Sequence, residues 1–163
     1  MNFLQIGQRI GAAAFACAIF AALPVHAHPI SHAQQRMRTE GLDIVTSRGV
    51  FHFKVEIADT PRTQEVGLMY RPALPVDRGM LFEFDKPQEA DFWMKNCPVP
   101  LDMLFIEADG DILSIARNTT PYSEAAIDSG GPIVGVLEIR GGRAAEIGAN
   151  PGDRVRHRFF RHG

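Results

Sequence analysis

Cysteine is scarce in this sequence, and that scarcity limits both disulfide and zinc chemistry. The 163 residues include two cysteines, Cys17 and Cys97, which cannot supply the paired Cys/His spacing of a structural zinc site. The H-E-x-x-H motif of zinc metalloproteases is also missing. The sequence therefore indicates no cofactor and no metal site of these kinds.

The sequence also lacks an excess of either charge. Lys and Arg total 17 and Asp and Glu total 19, which gives a formal net charge of −2. A protein that binds nucleic acid generally carries a basic surface, so nucleic acid is not an expected partner. No glycine-rich phosphate loop is present, and nucleotide chemistry is therefore not suggested.

Long hydrophobic runs are limited to one segment near the N-terminus. Arg9 precedes the apolar residues 10–23, and Val25-His26-Ala27 resembles a cleavage site of the A-x-A type. The run is shorter than the ~20 apolar residues that a transmembrane helix needs. We therefore predict a signal peptide over residues 1–27, with an uncleaved N-terminal anchor as the alternative.

This assignment sets the expected compartment and domain organisation. After cleavage we expect a periplasmic or secreted protein without a stable membrane span. Residues 28–41 are polar and are predicted to form a flexible leader, and residues 42–160 are predicted to form a single β-rich domain. Cys97 would then be the sole cysteine, which excludes an internal disulfide.

Short alternating segments dominate the predicted domain. Alternation of apolar and polar residues with Gly and Pro turns is typical of β-strands, and it predicts strands at 42–47, 50–58, 80–84, 90–96, 102–108, 112–118, 133–139 and 153–160. Thr60-Pro61 predicts a helix start, since a hydroxyl N-cap is followed by proline at the first helical position. A second short helix is expected from Gly142 or Arg143. The expected fold is mainly β (α+β), an antiparallel, barrel-like sheet with two or three short helices.

The segments 90–96 and 102–108 are predicted to pair as a hairpin. If Lys95 lies opposite Asp102, Phe92 faces Phe105 on the same side of the sheet. Asp102 then shares a face with apolar residues and is expected to be partly buried. A buried carboxylate needs a partner, for which Lys95 is the nearest candidate and Arg71 the best non-local one.

The most distinctive sequences are Phe92-Trp93-Met94-Lys95-Asn96 and Pro100-Leu101-Asp102-Met103, with Gly67 to Arg71 before them and Ser129-Gly130-Gly131-Pro132 after them. On these residues the chain resembles the domain of unknown function 192 family of small bacterial and archaeal proteins. The resemblance covers about residues 55–155. It implies a compact, β-rich and often exported domain without an established activity. Cys97 stands where that family often carries threonine.

A polar set inside this otherwise apolar region is the candidate site. It consists of Arg71, Lys95, Asn96 and Asp102, with Trp93 as an apolar wall. Arginine and lysine beside a carboxylate could hold a small anionic or sugar-like ligand, or a partner in the cell envelope. The alternative is a structural network that closes the barrel. The set lacks histidine and a hydroxyl nucleophile, so no catalytic residue is assigned.

The sequence predicts an exported binding or accessory module of the cell envelope rather than an enzyme. One alternative is an enzyme that acts on an envelope sugar or peptide with Asp102 as acid or base. Another is periplasmic copper binding through His28 and methionines, because thioether sulfur suits Cu(I). The methionines concerned are Met69, Met80, Met94 and Met103.

Overall fold

The structure is a computed structural model that describes residues 31–34 and 37–160. The predicted signal peptide and His28 lie outside this part of the chain. The elements, in chain order, are β1 (Thr39–Thr46), β2 (Gly49–Ala58), α1 (Pro61–Val66), β3 (Arg78–Gln88), β4 (Asp91–Phe92), β5 (Leu101–Ile106), β6 (Ile112–Ala116), β7 (Ile127–Asp128), β8 (Ile133–Arg140), α2 (Arg143–Ile147) and β9 (Arg154–Arg156). β1 begins within the range that was predicted as leader. No helix in the described part of the chain is long and apolar enough to cross a membrane.

Seven strands form one curled sheet in the order β6-β5-β8-β3-β2-β1-β9. Every pairing in it is antiparallel except that of β2 with β3, which are parallel and are connected through α1. β4 and β7 form a separate two-stranded ribbon. The expected mainly β, antiparallel and barrel-like fold is therefore confirmed, and of the two or three short helices expected, the described residues contain two.

The curl brings the two edge strands of the large sheet together. Asp111, just before β6, forms an isolated antiparallel bridge with Arg154 of β9. The Ile112 N–H donates to the Asp153 carbonyl at 2.8 Å, and Arg154 Nε donates to the Asp111 carboxylate at 2.8 Å. These contacts protect the strand edges and nearly close the sheet.

Alternate residues of the central strands serve two separate cores. Leu81 of β3 and Leu104 of β5 belong to the cluster that includes residues from β1, β2, β8 and β9. Their neighbours Met80, Phe82 and Met103 point to the opposite face and join a second cluster. Side chains alternate between the two faces of a strand, so these strands present apolar side chains on both faces of the sheet. Other segments of the chain must therefore cover the second face. Residues 68–74 and 90–99 supply that layer.

Local sequence explains where α1 begins and ends. The Thr60 hydroxyl accepts from the Thr63 N–H, and the Thr63 hydroxyl accepts from the Thr60 N–H. Pro61 is the first helical residue. Gly67 ends the helix with a φ of 49°, which favours glycine. The predicted helix start is thus confirmed.

The predicted hairpin between 90–96 and 102–108 is wrong. Both edges of β5 are occupied, by β6 and β8, so residues 90–96 have no edge of β5 to pair with. Only Asp91–Phe92 is extended, and it pairs with β7. Phe92 nevertheless contacts Phe105 at a ring distance of 6.0 Å, because the segment crosses the face of the sheet. Lys95 is not opposite Asp102, whose strand partner is Ile139.

Two strand glycines provide a test of the close contact between β3 and β8. A Cβ at Gly79 would lie 2.6 Å from the Glu138 carbonyl oxygen, whereas a Cβ at Gly41 would meet nothing within 4 Å. We expect Gly79→Ala to lower the unfolding free energy by about 1–3 kcal/mol. Gly41→Ala should leave it unchanged or raise it by up to about 1 kcal/mol. Urea denaturation of both variants measures the difference, and equal stabilities would contradict the close approach.

Candidate functional site

A cleft of about 370 Å³ lies where α1, β3 and the segment after β3 meet over the second core. Its size falls in the range of small-molecule sites in proteins. Its lining combines apolar side chains, a thiol and several carboxyl groups. The lining residues are Gln64, Glu65, Val66, Gly67, Leu68, Met69, Phe82, Phe84, Gln88, Glu89, Ala90, Asp91, Phe92, Trp93, Lys95, Cys97 and Glu138.

Aromatic rings give the cleft its walls. Phe82 and Phe92 meet edge to face with their centroids 5.1 Å apart, an arrangement that aromatic pairs prefer. Phe84 is half-buried beside them. Trp93 remains 48% exposed, so a large apolar ring borders the opening where a ligand could cover it.

Glu138 is the most unusual residue in the lining. It lies in the middle of β8, between Met80 on β3 and Met103 on β5, and both of these methionines are fully buried. Glu138 is itself 4% exposed, and its carboxyl group has no hydrogen-bond partner among the described residues. Burial raises its pKa to about 8, because desolvation disfavours the charged form.

Cys97 contributes a small apolar surface rather than a reactive group. The side chain is 6% exposed and is not in a disulfide. Burial, with a smaller effect from the nearby Glu138, raises the pKa of the thiol to about 12. Since the thiolate is the nucleophile and metal ligand, Cys97 is an inert part of the wall at neutral pH.

The rim of the cleft is charged. Glu65 of α1 and Glu89 and Asp91 of the following segment are exposed carboxylates. Lys95 is half-buried, and its Nζ lies 5.1 Å from the centre of the Trp93 ring and 3.5 Å from Glu124 Oε2. The ammonium of Lys95 therefore already has an aromatic and an acidic neighbour.

Arg71, from the predicted site, binds a different carboxylate than expected. Its Nη1 and Nη2 donate to Oε1 and Oε2 of Glu56 at 2.6 and 2.7 Å. Such a bidentate ion pair is the strongest common way in which arginine binds a carboxylate. Arg71 does not line the cleft, and Asp102 is not its partner, contrary to the sequence-based expectation.

Asp102 is fully buried and is satisfied by the backbone. Its Oδ1 accepts from the N–H groups of Asn118 at 2.6 Å and Gly142 at 3.1 Å, and its Oδ2 accepts from Ala144 N–H at 2.7 Å. Neither Lys95 nor Arg71 provides the predicted charge partner. The carboxylate instead fixes the loop after β6 to the start of α2, which is a structural arrangement.

Asn96 occupies a turn beside the cleft. It has a φ of 56°, a conformation that asparagine tolerates better than most residues. Its Nδ2 donates to Met69 Sδ at 3.7 Å. Of the five residues predicted for the site, Lys95 and Trp93 line the cleft, whereas Arg71, Asn96 and Asp102 do not.

Sequence reasoning missed Glu138 as a candidate. The signal was present, because a single carboxyl group interrupts the apolar strand Ile133–Arg140. The apolar residues of 133–139 predicted a strand, and the glutamate within it was given no role. An acid in such a strand indicates either a buried ion pair or a functional group.

The methionines proposed as copper ligands lie in the second core. Met69, Met80, Met94 and Met103 are all buried there, where methionine commonly fills space. Across residues 31–34 and 37–160, no group of three or more His, Cys, Asp or Glu side chains is arranged to hold a metal ion. Copper binding through His28 remains a prediction.

The sequence from residue 44 to residue 157 matches one family model, described as "Uncharacterized ACR" and designated domain of unknown function 192. The match spans most of the chain. The chain belongs to the domain of unknown function 192 family. This confirms the resemblance drawn from the sequence. No curated protein matches the chain.

Two solved structures are similar to this family member over most of their length. One, from Sinorhizobium meliloti 1021, is described as a candidate transcription regulator; it is 42% identical, with a TM-score of 0.73, and the match covers 76% of this chain and 97% of that one. The other, a protein of unknown function from Novosphingobium aromaticivorans DSM 12444, is 37% identical. Its TM-score is 0.74, and the match covers 81% of this chain and 94% of that one.

Replacing Asp102 tests whether its carboxylate stabilises the fold. Asp102→Ala leaves three backbone N–H groups without their acceptor in a buried site, so we expect a loss of about 3 kcal/mol or more in unfolding free energy. Asp77→Ala is the control, since that carboxylate is exposed and 3.9 Å from Arg78, where a loss below about 1 kcal/mol is expected. Chemical denaturation measures the unfolding free energy of both variants. A loss for Asp102→Ala no larger than the control would contradict this arrangement.

Replacing Glu138 tests its protonation. Its folded-state pKa of about 8 exceeds the ordinary 4.5, so the folded state holds an extra proton between these pH values and stability falls as pH rises through them. Glu138→Gln lacks this slope. We expect the unfolding free energy of the variant minus that of wild type to increase from pH 5 to pH 8, by up to about 1.4 kcal/mol per pH unit. If the stabilities of wild type and Glu138→Gln changed with pH in the same way, Glu138 would ionise normally. The control is Glu107→Gln at an exposed position.

Proposed function

We propose that this domain is a binding module that holds a small, mainly apolar ligand in the cleft. The observation that carries the proposal is an open apolar cleft with a buried carboxyl group, Glu138, that has no partner in the described chain. Such pockets with few polar groups are typical of ligand sites. A buried carboxyl group without a partner lowers the stability of the fold, and such a group is expected where function requires it.

Two of the predicted site residues belong to this proposal. Trp93 and Lys95 lie at the rim of the cleft, where they could cover a bound molecule. The anionic or sugar-like ligand predicted with Arg71 and Asp102 is less favoured, because Glu56 and backbone N–H groups already occupy those side chains. Asp102 as a catalytic acid or base is less favoured for the same reason, since it is fully buried outside the cleft.

The cellular setting of the proposal rests on the sequence. The basic residue Arg9, the apolar run 10–23 and the A-x-A-like site support export to the periplasm or beyond. We therefore place the proposed ligand in the cell envelope or outside it. The transcription-related description belongs to the Sinorhizobium protein, and the net charge of −2 here does not favour nucleic acid.

The first test uses a neutral apolar fluorophore, N-phenyl-1-naphthylamine, as the probe. Trp93 is the single tryptophan of the chain, so energy transfer from it reports a probe bound at the cleft. We expect saturable binding of one probe per chain with transfer from Trp93.

A pair of alanine variants locates the binding. Ala90→Leu fills part of the cleft and should weaken probe binding about tenfold or more. Ala126→Leu changes an exposed alanine outside the lining and should leave it unchanged. Thermal unfolding of both variants checks folding. Binding that is equally strong in Ala90→Leu, or without transfer from Trp93, would refute the proposal.

A further inference from the structure

The cleft carries an excess of negative groups. Of the described residues that line it, four have carboxyl groups, namely Glu65, Glu89, Asp91 and Glu138, and one, Lys95, has an ammonium. The Lys95 ammonium is already neighboured by Glu124 at 3.5 Å. Glu65 is paired with Arg62 at 3.1 Å, whereas Glu89, Asp91 and Glu138 have no ion pair among the described residues. A cation that enters the cleft would therefore find carboxyl groups that the described chain does not neutralise.

Glu138 gives this charge a specific position. The carboxylates of the rim are exposed and screened by water, but Glu138 is 4% exposed and has no hydrogen-bond partner in the described chain. Its neighbours on the adjacent strands are Met80 and Met103, which cannot compensate a charge. A buried carboxyl group requires a partner to ionise, and a ligand in the cleft could provide it.

The aromatic side chains suit the same kind of ligand. Phe82, Phe84, Phe92 and Trp93 line the cleft together with Glu138. Aromatic faces attract ammonium groups, and this attraction grows when water is excluded. The Lys95 ammonium lies 5.1 Å from the centre of the Trp93 ring, which shows that this ring can take a cation beside it. The ring is also 48% exposed, so part of its surface remains open to a ligand.

We propose that the ligand is an organic ammonium compound, whose positive nitrogen pairs with Glu138 and whose hydrocarbon part packs among the aromatic rings. This proposal rests on the proposed function and names the ligand class of the same cleft. An anionic ligand of the same shape would instead meet the carboxylates of the rim and an apolar interior. A neutral ligand would leave Glu138 uncharged and would gain only from the apolar walls.

Binding of such a ligand is expected to release a proton. Burial holds the pKa of Glu138 at about 8, so the carboxyl group is mainly neutral at pH 7 and must ionise to pair with an ammonium. Affinity should therefore rise with pH up to about 8. The other titratable groups facing the cleft are Glu65 from α1 and Glu89, Asp91, Lys95 and Cys97 from the segment after β3.

The experiment compares three compounds with the same phenyl group: 2-phenylethylamine, 2-phenylethanol and 3-phenylpropionate. Each competes with N-phenyl-1-naphthylamine on the wild-type protein, and calorimetry in two buffers of different ionisation enthalpy counts released protons. We expect the amine to bind about tenfold or more tightly than the alcohol, with the carboxylate weakest. At pH 7 close to one proton should be released per bound amine.

Two glutamate variants show whether Glu138 is responsible. Glu138→Gln should remove the preference for the amine and the proton release while it keeps the affinity for the alcohol. Glu107→Gln, an exposed site outside the cleft lining, should behave as wild type. Equal binding of amine and alcohol, or a preference that survives in Glu138→Gln, would overturn the ligand class while the binding function stands. Failure of the fluorophore to bind the cleft would overturn both.

Discussion

The burial of the central strands on both faces is the constraint on which the rest of this structure depends. β8 and β3 lie in the middle of the sheet, and their alternate side chains enter two different cores. The curled sheet encloses most of the first core, which α2 and Phe160 complete, but the second core needs additional chain. The segment after α1 and the segment from β3 to β5 provide that cover, and the cleft lies where this cover is incomplete.

Two buried carboxyl groups on neighbouring strands show opposite solutions to the same physical problem. Asp102 is fully buried and receives three backbone N–H groups, which replace the water that it loses. Glu138 is nearly as buried, but methionines flank it and no donor in the described chain reaches it. The first group stabilises the fold, and the second weakens it whenever it ionises. This difference moves the candidate site from Asp102 to Glu138.

Local sequence was sufficient for much of the fold and for little of the site. The hydroxyl and proline at Thr60-Pro61 determine where α1 starts, and alternation predicted most strands. The prediction that segment 90–96 pairs with β5 was wrong, because its apolar residues cover a face of the sheet. The hairpin is excluded only once β5 is seen to pair with β6 and β8. Glu138 was visible in the sequence, but its lack of a partner depends on strands distant in the chain.

The location of Glu138 links occupancy of the cleft to the stability of the fold. In the empty protein its ionisation is opposed by burial, so the folded state becomes less stable as pH rises towards about 8. A ligand that pairs with the ionised carboxylate would compensate part of that desolvation. Because the cleft exists only in the folded chain, such a ligand would also stabilise the fold by mass action. A carboxyl group that weakens the empty domain and strengthens the occupied one is consistent with selection for binding rather than for packing.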